Sequence, residues 1–433
     1  MRVALWFLGL FGVAAALALF VSTNNGTITV FWPPHRVDLS LNMVVLLLGL
    51  LFVLLHVALK ALAALLALPS QARLWRLRHQ ERVMYAALLE SLSHLVSGRF
   101  LRARKAAQTV LAREAALTQS GDVWPEAPRL RVLANLLAAE SSQSLQDTPI
   151  RELHFQQALS QASASDASGT RDGLLLRAVR WSLEDHDASA ALNWLDQLPS
   201  GVARRTVALR LRLKVARLAG KTGLALETAR LLAKHRAFSQ ASAQGLVRSL
   251  AQEWLQSAFD LEQLQRVWRQ LEATEQSLPE VACAAAGRWL RLGGPAPTAF
   301  EWMMPVWQRM VDAPQSMLEE QKIMLVRVME NGFAATEVPM DTQWLVRIEQ
   351  AQQTYPGDAV LQYLAGVACL RLQLWGKAHQ LLKLALPRLQ DVGLETRAWQ
   401  MLAELAQRQG DEAQAAAAWR SAAQVRLRRK AYN

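Results

Sequence analysis

Two long apolar runs near the N-terminus, residues 3–21 and 41–62, constrain everything that follows them. A helix of about 20 apolar residues rises about 1.5 Å per residue and so matches a hydrocarbon core about 30 Å thick. Residues 3–21 carry no charge at all. Residues 41–62 are apolar apart from Asn42, His56 and Lys60, and Lys60 lies where a long side chain reaches the headgroups. The pattern predicts a transmembrane hairpin over 1–68, with spans at about 3–21 and 41–62 and an outer loop at 22–40. Within the loop, Asn24-Asn25-Gly26 and Pro33-Pro34 are turn formers and residues 27–32 (TITVFW) favour a strand, so a small ordered loop is expected. Trp6 and Trp32 lie near span ends, where an indole is stable at the interface. The competing reading is a cleaved signal peptide, for which Ala16-Leu17-Ala18 supplies small residues at the right spacing.

Orientation follows from the flanks. Residues 69–113 hold nine basic side chains (Arg73, Arg76, Arg78, Arg82, Arg99, Arg102, Arg104, Lys105 and Arg113) against Glu81 and Glu90. The loop between the spans balances Arg36 with Asp38. Basic residues beside a span stay on the cytoplasmic side, so both termini and the large remaining domain are expected inside the cell. Much of the net charge of +12 is therefore juxtamembrane, and Arg73, Arg76, Arg78 and Arg82 are candidates to meet anionic headgroups. Nucleic-acid binding is not supported, since no zinc spacing, aromatic RNA-binding segment or glycine-rich basic run accompanies the charge. The only two cysteines, Cys283 and Cys369, sit in apolar helical contexts and fit a reducing compartment.

Beyond residue 70 the chain is rich in Ala, Leu, Gln, Arg and Glu, with apolar residues recurring at three and four. This is helix chemistry throughout. Near the C-terminus the pattern repeats at close to 34 residues. Trp399, Leu402, Ala403, Gly410, Asp411, Ala415, Trp419 and Ala422 fit the tetratricopeptide spacing, in which large side chains on helix A fill the gap to helix B and small ones allow close approach. Residues 359–386 fit the same frame through Gly366, Trp375, Ala378, Leu382 and Ala385, behind a turn at Pro356-Gly357-Asp358. Weaker matches lie at 84–110, turning at Gly98, and at 206–232, turning at Gly220. Between them, residues 150–198 and 253–310 read as degenerate helix pairs, with Trp181, Trp194, Trp254, Trp268, Trp289, Trp302, Trp307 and Trp344 as filler. Residues 160–169 and 292–298 read as breaks in the array. Val338-Pro339-Met340-Asp341 reads as a helix start.

The expected fold class is all-α: a two-helix transmembrane hairpin followed by a tetratricopeptide-like helical-repeat solenoid. Its expected parts are 1–68, a basic segment entering the first repeat at 69–113, degenerate repeats at 114–335 and clear repeats at 336–433. Groove-facing positions of the last two repeats, Tyr363, Val367, Arg371, Arg397, Gln400, Glu404 and Arg408, are the candidate partner-binding residues. No catalytic or metal-binding set emerges. Ala219-Gly220-Lys221-Thr222 resembles the end of a phosphate loop, but Val215 stands where the first glycine belongs. No dinucleotide fingerprint, H-E-x-x-H or paired cysteines occur, and the eight histidines are scattered singly. His56 is the one an intramembrane role would select. The chain is not expected to be an enzyme and requires no cofactor.

The hairpin, the basic segment behind it, Leu92 with Gly98-Arg99-Phe100, the run Asn135-Leu136-Leu137-Ala138-Ala139-Glu140 and the terminal repeats together resemble the HemY family of proteobacterial inner-membrane proteins. Residues 144–149 depart from the Gly-Asp turn usual in the family's second repeat. The resemblance implies a late role in porphyrin or haem synthesis, by holding biosynthetic enzymes such as ferrochelatase or protoporphyrinogen oxidase at the membrane, with haem a potential ligand. It supplies no catalytic residues. The flavin-dependent protoporphyrinogen oxidase that shares the family's name is argued against by the missing dinucleotide fingerprint. Two other classes stay open: an adaptor for envelope assembly or cytochrome c maturation, and a haem-binding or haem-handling protein.

Overall fold

A computed structural model describes residues 26–119, 126–164, 168–335 and 341–432, together with 8–9, 11–16 and 18–19 of the first apolar run. The first expected span therefore lies in large part outside the described residues; those described within it are helical and exposed. The chain divides into two compact units, residues 1–166 and 167–433.

The first unit opens with a β-hairpin. Thr27–Trp32 (β1) pairs antiparallel with His35–Ser40 (β2) across Pro33-Pro34, in the register Thr27 to Ser40 through Trp32 to His35. These are the only strands among the described residues. The expected ordered loop is thus a two-stranded ribbon, built from the strand-forming residues of 27–32. Ser40 ends β2 and caps the next helix, its hydroxyl accepting from Met43 N–H at 3.3 Å. Leu41 N–H donates to Gly26 O at 2.8 Å, which ties the hairpin's base to the helix start.

That helix, Leu41–Val96, runs for 56 residues and takes in Pro69, which has no N–H to donate. Its first part, Leu41–Ala63, is long and apolar enough to cross a membrane, and no residue of it is buried by the rest of the chain. Leu46, Leu48, Leu51, Phe52 and Leu55 are all exposed around its circumference. A helix apolar on every side and covered by nothing has no stable place in water. The last part is instead half-covered: Met84 and Ser91 are buried against Phe100–Gln119 and Ala127–Ser144, with Ala103, Ala107, Val110, Leu130 and Ala134. Ser91 Oγ donates to Ala103 O at 2.8 Å, which seals the first helix pair. Thr148–Ala164 closes the unit against Ala127–Ser144.

The second unit is built of antiparallel helix pairs. Ser168–Glu184 pairs with Ala188–Asp196, Thr206–Leu218 with Thr222–Lys234, Pro279–Arg291 with Ala296–Asp312, Ala359–Arg371 with Trp375–Ala385, and Val392–Arg408 with Glu412–Tyr432. One buried cluster runs from Leu209 to Ala418. Tryptophans fill it as expected: Trp268 stacks on Trp302 at 4.8 Å between ring centroids, Trp289 meets Trp302 edge-on at 5.0 Å, and Trp307 meets Trp344 at 5.7 Å. Gly366 is the close-approach position its spacing implied. A Cβ there would come 2.8 Å from Leu382 Cγ.

Among the described residues, one turn joins eight pairs of consecutive helices. In each, a residue at positive φ follows the first helix: Gly98, Gly220, Gly293 and Gly410, and also Gln146, His186, Arg236 and Gln373. The residue after it donates back to a carbonyl five positions earlier, as in Asp411 to Ala406 (3.0 Å), Leu374 to Cys369 (2.9 Å) and Asp147 to Ser142 (2.9 Å). This is the Schellman ending, which satisfies carbonyls left over at a helix C-terminus. It corrects two expectations. Residues 144–149 keep the repeat turn, with Gln146 in the place of glycine. Residues 292–298 do not break the array, because Gly293 makes the same turn and Trp289 Nε1 donates to Pro295 O at 2.9 Å. Most of residues 160–169 is helical as well, in Thr148–Ala164 and Ser168–Glu184. The expected helix start at 338–341 falls on residues that lie outside the described ones except for Asp341, whose carboxylate caps Thr342–Thr354 by accepting from Gln343 N–H at 2.9 Å.

A side chain at positive φ costs about 1 kcal/mol relative to glycine. Gln146→Gly and Gln373→Gly are therefore each expected to raise stability by about 1 kcal/mol, and Gly410→Ala to lower it by a similar amount, in urea unfolding. A second expectation concerns His154, which is buried and whose Nδ1 lies 2.8 Å from Asn135 Oδ1. Burial, and secondarily the charge of Arg104, push its pKa below the ordinary imidazole value. The unfolded chain then binds the proton more readily, so stability is full above a pH of about 6.5 and falls as the solution becomes more acid. His154→Gln should flatten the acid side of a stability–pH curve below about pH 6.5.

Candidate functional site

Helices Thr222–Lys234 and Gln240–Gln256 are joined through Arg236, the αL residue of their turn. The following helix, Leu261–Gln270, is short, and the chain leaves it extended at Leu271. Glu272 and Glu275 then fold a single turn, Ala273–Gln276, in which the Glu272 backbone N–H donates to Glu275 Oε2 at 3.0 Å. This places the Glu275 carboxylate against Arg230, which grips it with Nε at 2.8 Å and Nη2 at 2.6 Å. Two parallel charge-assisted bonds fix both planes, and they hold Arg230 protonated beyond its ordinary range.

The result is a cleft of about 1230 Å³ between the two helices and the 272–278 segment. Leu231, Phe238, Val247 and Leu278 give it apolar walls. Lys234 and Arg236 line it as exposed cations without an ion-pair partner among the described residues. Glu227 and Glu272 supply exposed carboxylates. Arg210 braces one wall, lying 5.7 Å from the Phe238 ring centroid and donating to Ala237 O at 2.9 Å. Apolar walls interrupted by paired and unpaired charges are the features of a protein-binding surface.

Both cysteines are buried and free. Cys283 is buried, and burial with the nearby Glu280 pushes its thiol up to about 12. Cys369 is also raised, chiefly by burial. Neither forms a thiolate at neutral pH, which nucleophilic or redox chemistry requires. Among the described residues no group of His, Cys, Asp and Glu has the arrangement of a metal site.

The structure divides the candidate partner-binding residues. Arg371, Arg397, Glu404 and Arg408 are exposed and Gln400 is partly so. Tyr363 and Val367 are completely buried, which corrects their placement on a groove. Helix Ala359–Arg371 is packed by Glu319–Ala334, Thr342–Thr354 and Trp375–Ala385 and is buried on almost every side, so it has little free face to offer. Tyr363 Oη donates to Glu330 Oε2 at 2.8 Å, and Arg397 Nε donates to Glu330 Oε1 at 2.8 Å. Burial and the Glu330 carboxylate push the Tyr363 phenol up. Arg397 thus serves the packing of two helix pairs before it serves any partner. Arg408 lies over Trp375, 4.9 Å from its ring centroid, and Arg397 Nη1 reaches Gln400 Oε1 at 3.5 Å. Of the headgroup candidates, Arg76, Arg78 and Arg82 are exposed along the long helix, and the side chain of Arg73 lies outside the described residues.

The cleft residues around Arg230 escaped the sequence pattern because its key pair spans 45 positions. The available signal was negative: residues 271–278 (LEATEQSL) interrupt a helical run with no glycine or proline turn until Pro279.

Residues 26–146 match the family model described as HemY protein N-terminus. No curated protein matches the sequence. Solved structures with detectable likeness include the APC/C hetero-tetramer Cut9-Hcn1 (14% identity, 78% of this chain and 65% of that chain, TM-score 0.28). Others are the P58(IPK) TPR domain (14%, 74% and 98%, TM-score 0.22) and Naa15/Naa10 bound to HypK-THB (12%, 78% and 58%, TM-score 0.22). The chain spans less than two-thirds of the first and third of these chains, and TM-scores at this level carry no argument about function or fold.

Removing the arginine from either pair strands a buried carboxylate. Arg230→Ala, which leaves Glu275 without its cation, and Arg397→Ala, which leaves Glu330 with the Tyr363 hydroxyl alone, are each expected to cost about 2–3 kcal/mol. Tyr363→Phe should cost about 1 kcal/mol. Urea midpoints of the three variants check these values, and a loss below about 0.5 kcal/mol for Arg230→Ala would show that the Arg230–Glu275 pair does not hold the cleft together.

Proposed function

We propose that this chain, whose residues 26–146 match the family model described as HemY protein N-terminus, is a HemY-type scaffold of the bacterial inner membrane that serves late porphyrin and haem biosynthesis. One observation carries the reading: Leu41–Val96 is a single helix whose uncovered apolar part continues directly into the packed part of the first helix pair. An anchor and a repeat array that share one helix are coupled through it, with Pro69 the position at which that helix is weakest. The basic side chains that follow the apolar part keep it on the cytoplasmic side, with both termini inside.

In this reading the helix pairs offer partner enzymes two kinds of surface. One is the cleft around Arg230, Lys234 and Arg236. The other is the exposed set Arg371, Gln400, Glu404 and Arg408 on the last two pairs, with Arg397 acting through its hold on Glu330. The protein performs no bond chemistry of its own. Its contribution is effective concentration: two enzymes held on one surface pass a poorly soluble porphyrin over a short distance at local concentrations near millimolar.

Crosslinking in intact cells, followed by recovery from detergent through a C-terminal tag, tests the assignment. Enzymes of late haem synthesis should dominate the recovered proteins, and the Lys234→Glu/Arg236→Glu and Arg371→Glu/Arg408→Glu variants should weaken their recovery about tenfold. Recovery of envelope-assembly factors instead would keep the scaffold and remove the haem assignment. A C-terminal reporter active only outside the cytoplasm would overturn the topology.

A further inference from the structure

The first helix turn of unit one makes a second surface. Gly98 at positive φ swings the chain from Leu41–Val96 into Phe100–Gln119, and the turn at Leu145 of the next pair lies beside it. Between them is a shallow cleft of about 520 Å³ lined by Gly98, Arg99, Phe100, Leu101, Arg102 and Leu145. Leu101 is 50% and Leu145 38% exposed, and Val96, two residues before Gly98, is 82% exposed. Arg99 and Arg102 are exposed, with no ion-pair partner among the described residues. No carboxylate lines the cleft. The nearest acidic side chain in sequence to Leu145, Asp147, is taken by Arg104 at 2.7 Å.

We propose that this cleft receives an acidic segment of a partner protein that also carries an aliphatic anchor. Leucines on a helix turn, flanked by two uncommitted guanidinium groups, match a short peptide whose apolar side chain enters the cleft while its carboxylates pair with Arg99 and Arg102. An anionic lipid surface has the same charge, and distance decides against it. From Leu68, the last residue of the apolar sequence, to Val96 the helix adds about 40 Å of length. With the tilt of a membrane helix at the upper end of its usual range, this still lifts the cleft about 30 Å from the hydrocarbon edge. Attraction to headgroup charge fades over about 8 Å at physiological salt. The exclusion of lipid rests on the anchored-scaffold reading; the cleft and its unpaired arginines do not.

The experiment uses the full chain in phosphatidylcholine nanodiscs and a fluorescent Glu-Glu-Leu-Leu-Glu-Glu peptide, read by anisotropy against its Lys-for-Glu counterpart. The acidic peptide should bind, more weakly as salt rises, and the lysine peptide should not. Arg99→Glu/Arg102→Glu should weaken binding by at least about tenfold and Leu101→Ser by several-fold. Circular dichroism confirms that the variants stay folded. Absence of binding, or equal binding by wild type and the double variant, would overturn the proposal. So would a double variant that loses affinity only for vesicles containing phosphatidylglycerol, since that assigns the arginines to lipid. The peptide assay needs no haem enzyme, so its outcome is independent of which proteins crosslinking recovers.

Discussion

Every part of this chain depends on one backbone continuity: Leu41–Val96 is helical from end to end, with a single rung of its hydrogen-bond ladder missing at Pro69. Its two parts belong to different solvents. The first has apolar side chains all round and no cover, while the second turns Met84 and Ser91 inward to found the core of the first helix pair. The β-hairpin before it is fastened to its first turn through Gly26 and Ser40, so no slack connector separates hairpin, apolar helix and repeat.

Beyond that helix, stability is assembled from local pieces. The Schellman turn closes each of eight helix pairs, and small residues such as Gly366 and Ala378 let the partners approach. Between pairs, apolar contact is supplemented by polar links that reach across the array: Tyr355 Oη to Val311 O at 3.0 Å, Arg327 to Asp391 at 2.6 Å, and the Glu330 carboxylate held by Tyr363 and Arg397. The Glu330 link is the one costly to break on one side only, because its carboxylate is buried, and it helps fix the stagger of neighbouring pairs. A fixed stagger is what gives exposed side chains such as Arg371 and Arg408 defined spacings to present to a partner.

The elements that could be read from the sequence are those with a local cause. The second apolar run, the strand-forming residues of 27–32, and the glycine turns at 98, 220 and 410 each announce themselves within a few residues. The turns at Gln146, His186, Arg236 and Gln373 do not, because a side chain at positive φ is tolerated only when the packed helices on both sides hold it there. Tyr363 and Val367 were misplaced for a related reason: repeat spacing identifies helix A but not which of its faces neighbours cover. In Ala359–Arg371 the composition, apolar on nearly all sides, was the better guide. The Arg230 cleft and the Glu330 cluster join residues 45 and 67 positions apart, a separation at which no sequence period exists.

Solvent accessibility along Leu41–Val96 tests the anchored-scaffold account most directly. Single cysteines placed through the helix, in a chain with Cys283→Ser and Cys369→Ser, would be labelled in sealed inner-membrane vesicles with an impermeant maleimide. Protection is expected at every position from Leu41 to Ala63, with labelling at Arg76 and Arg78, and then a helical alternation that spares Met84 and Ser91. Labelling that continues unchanged through residues 41–63 would contradict the account, because it would place the apolar part in water.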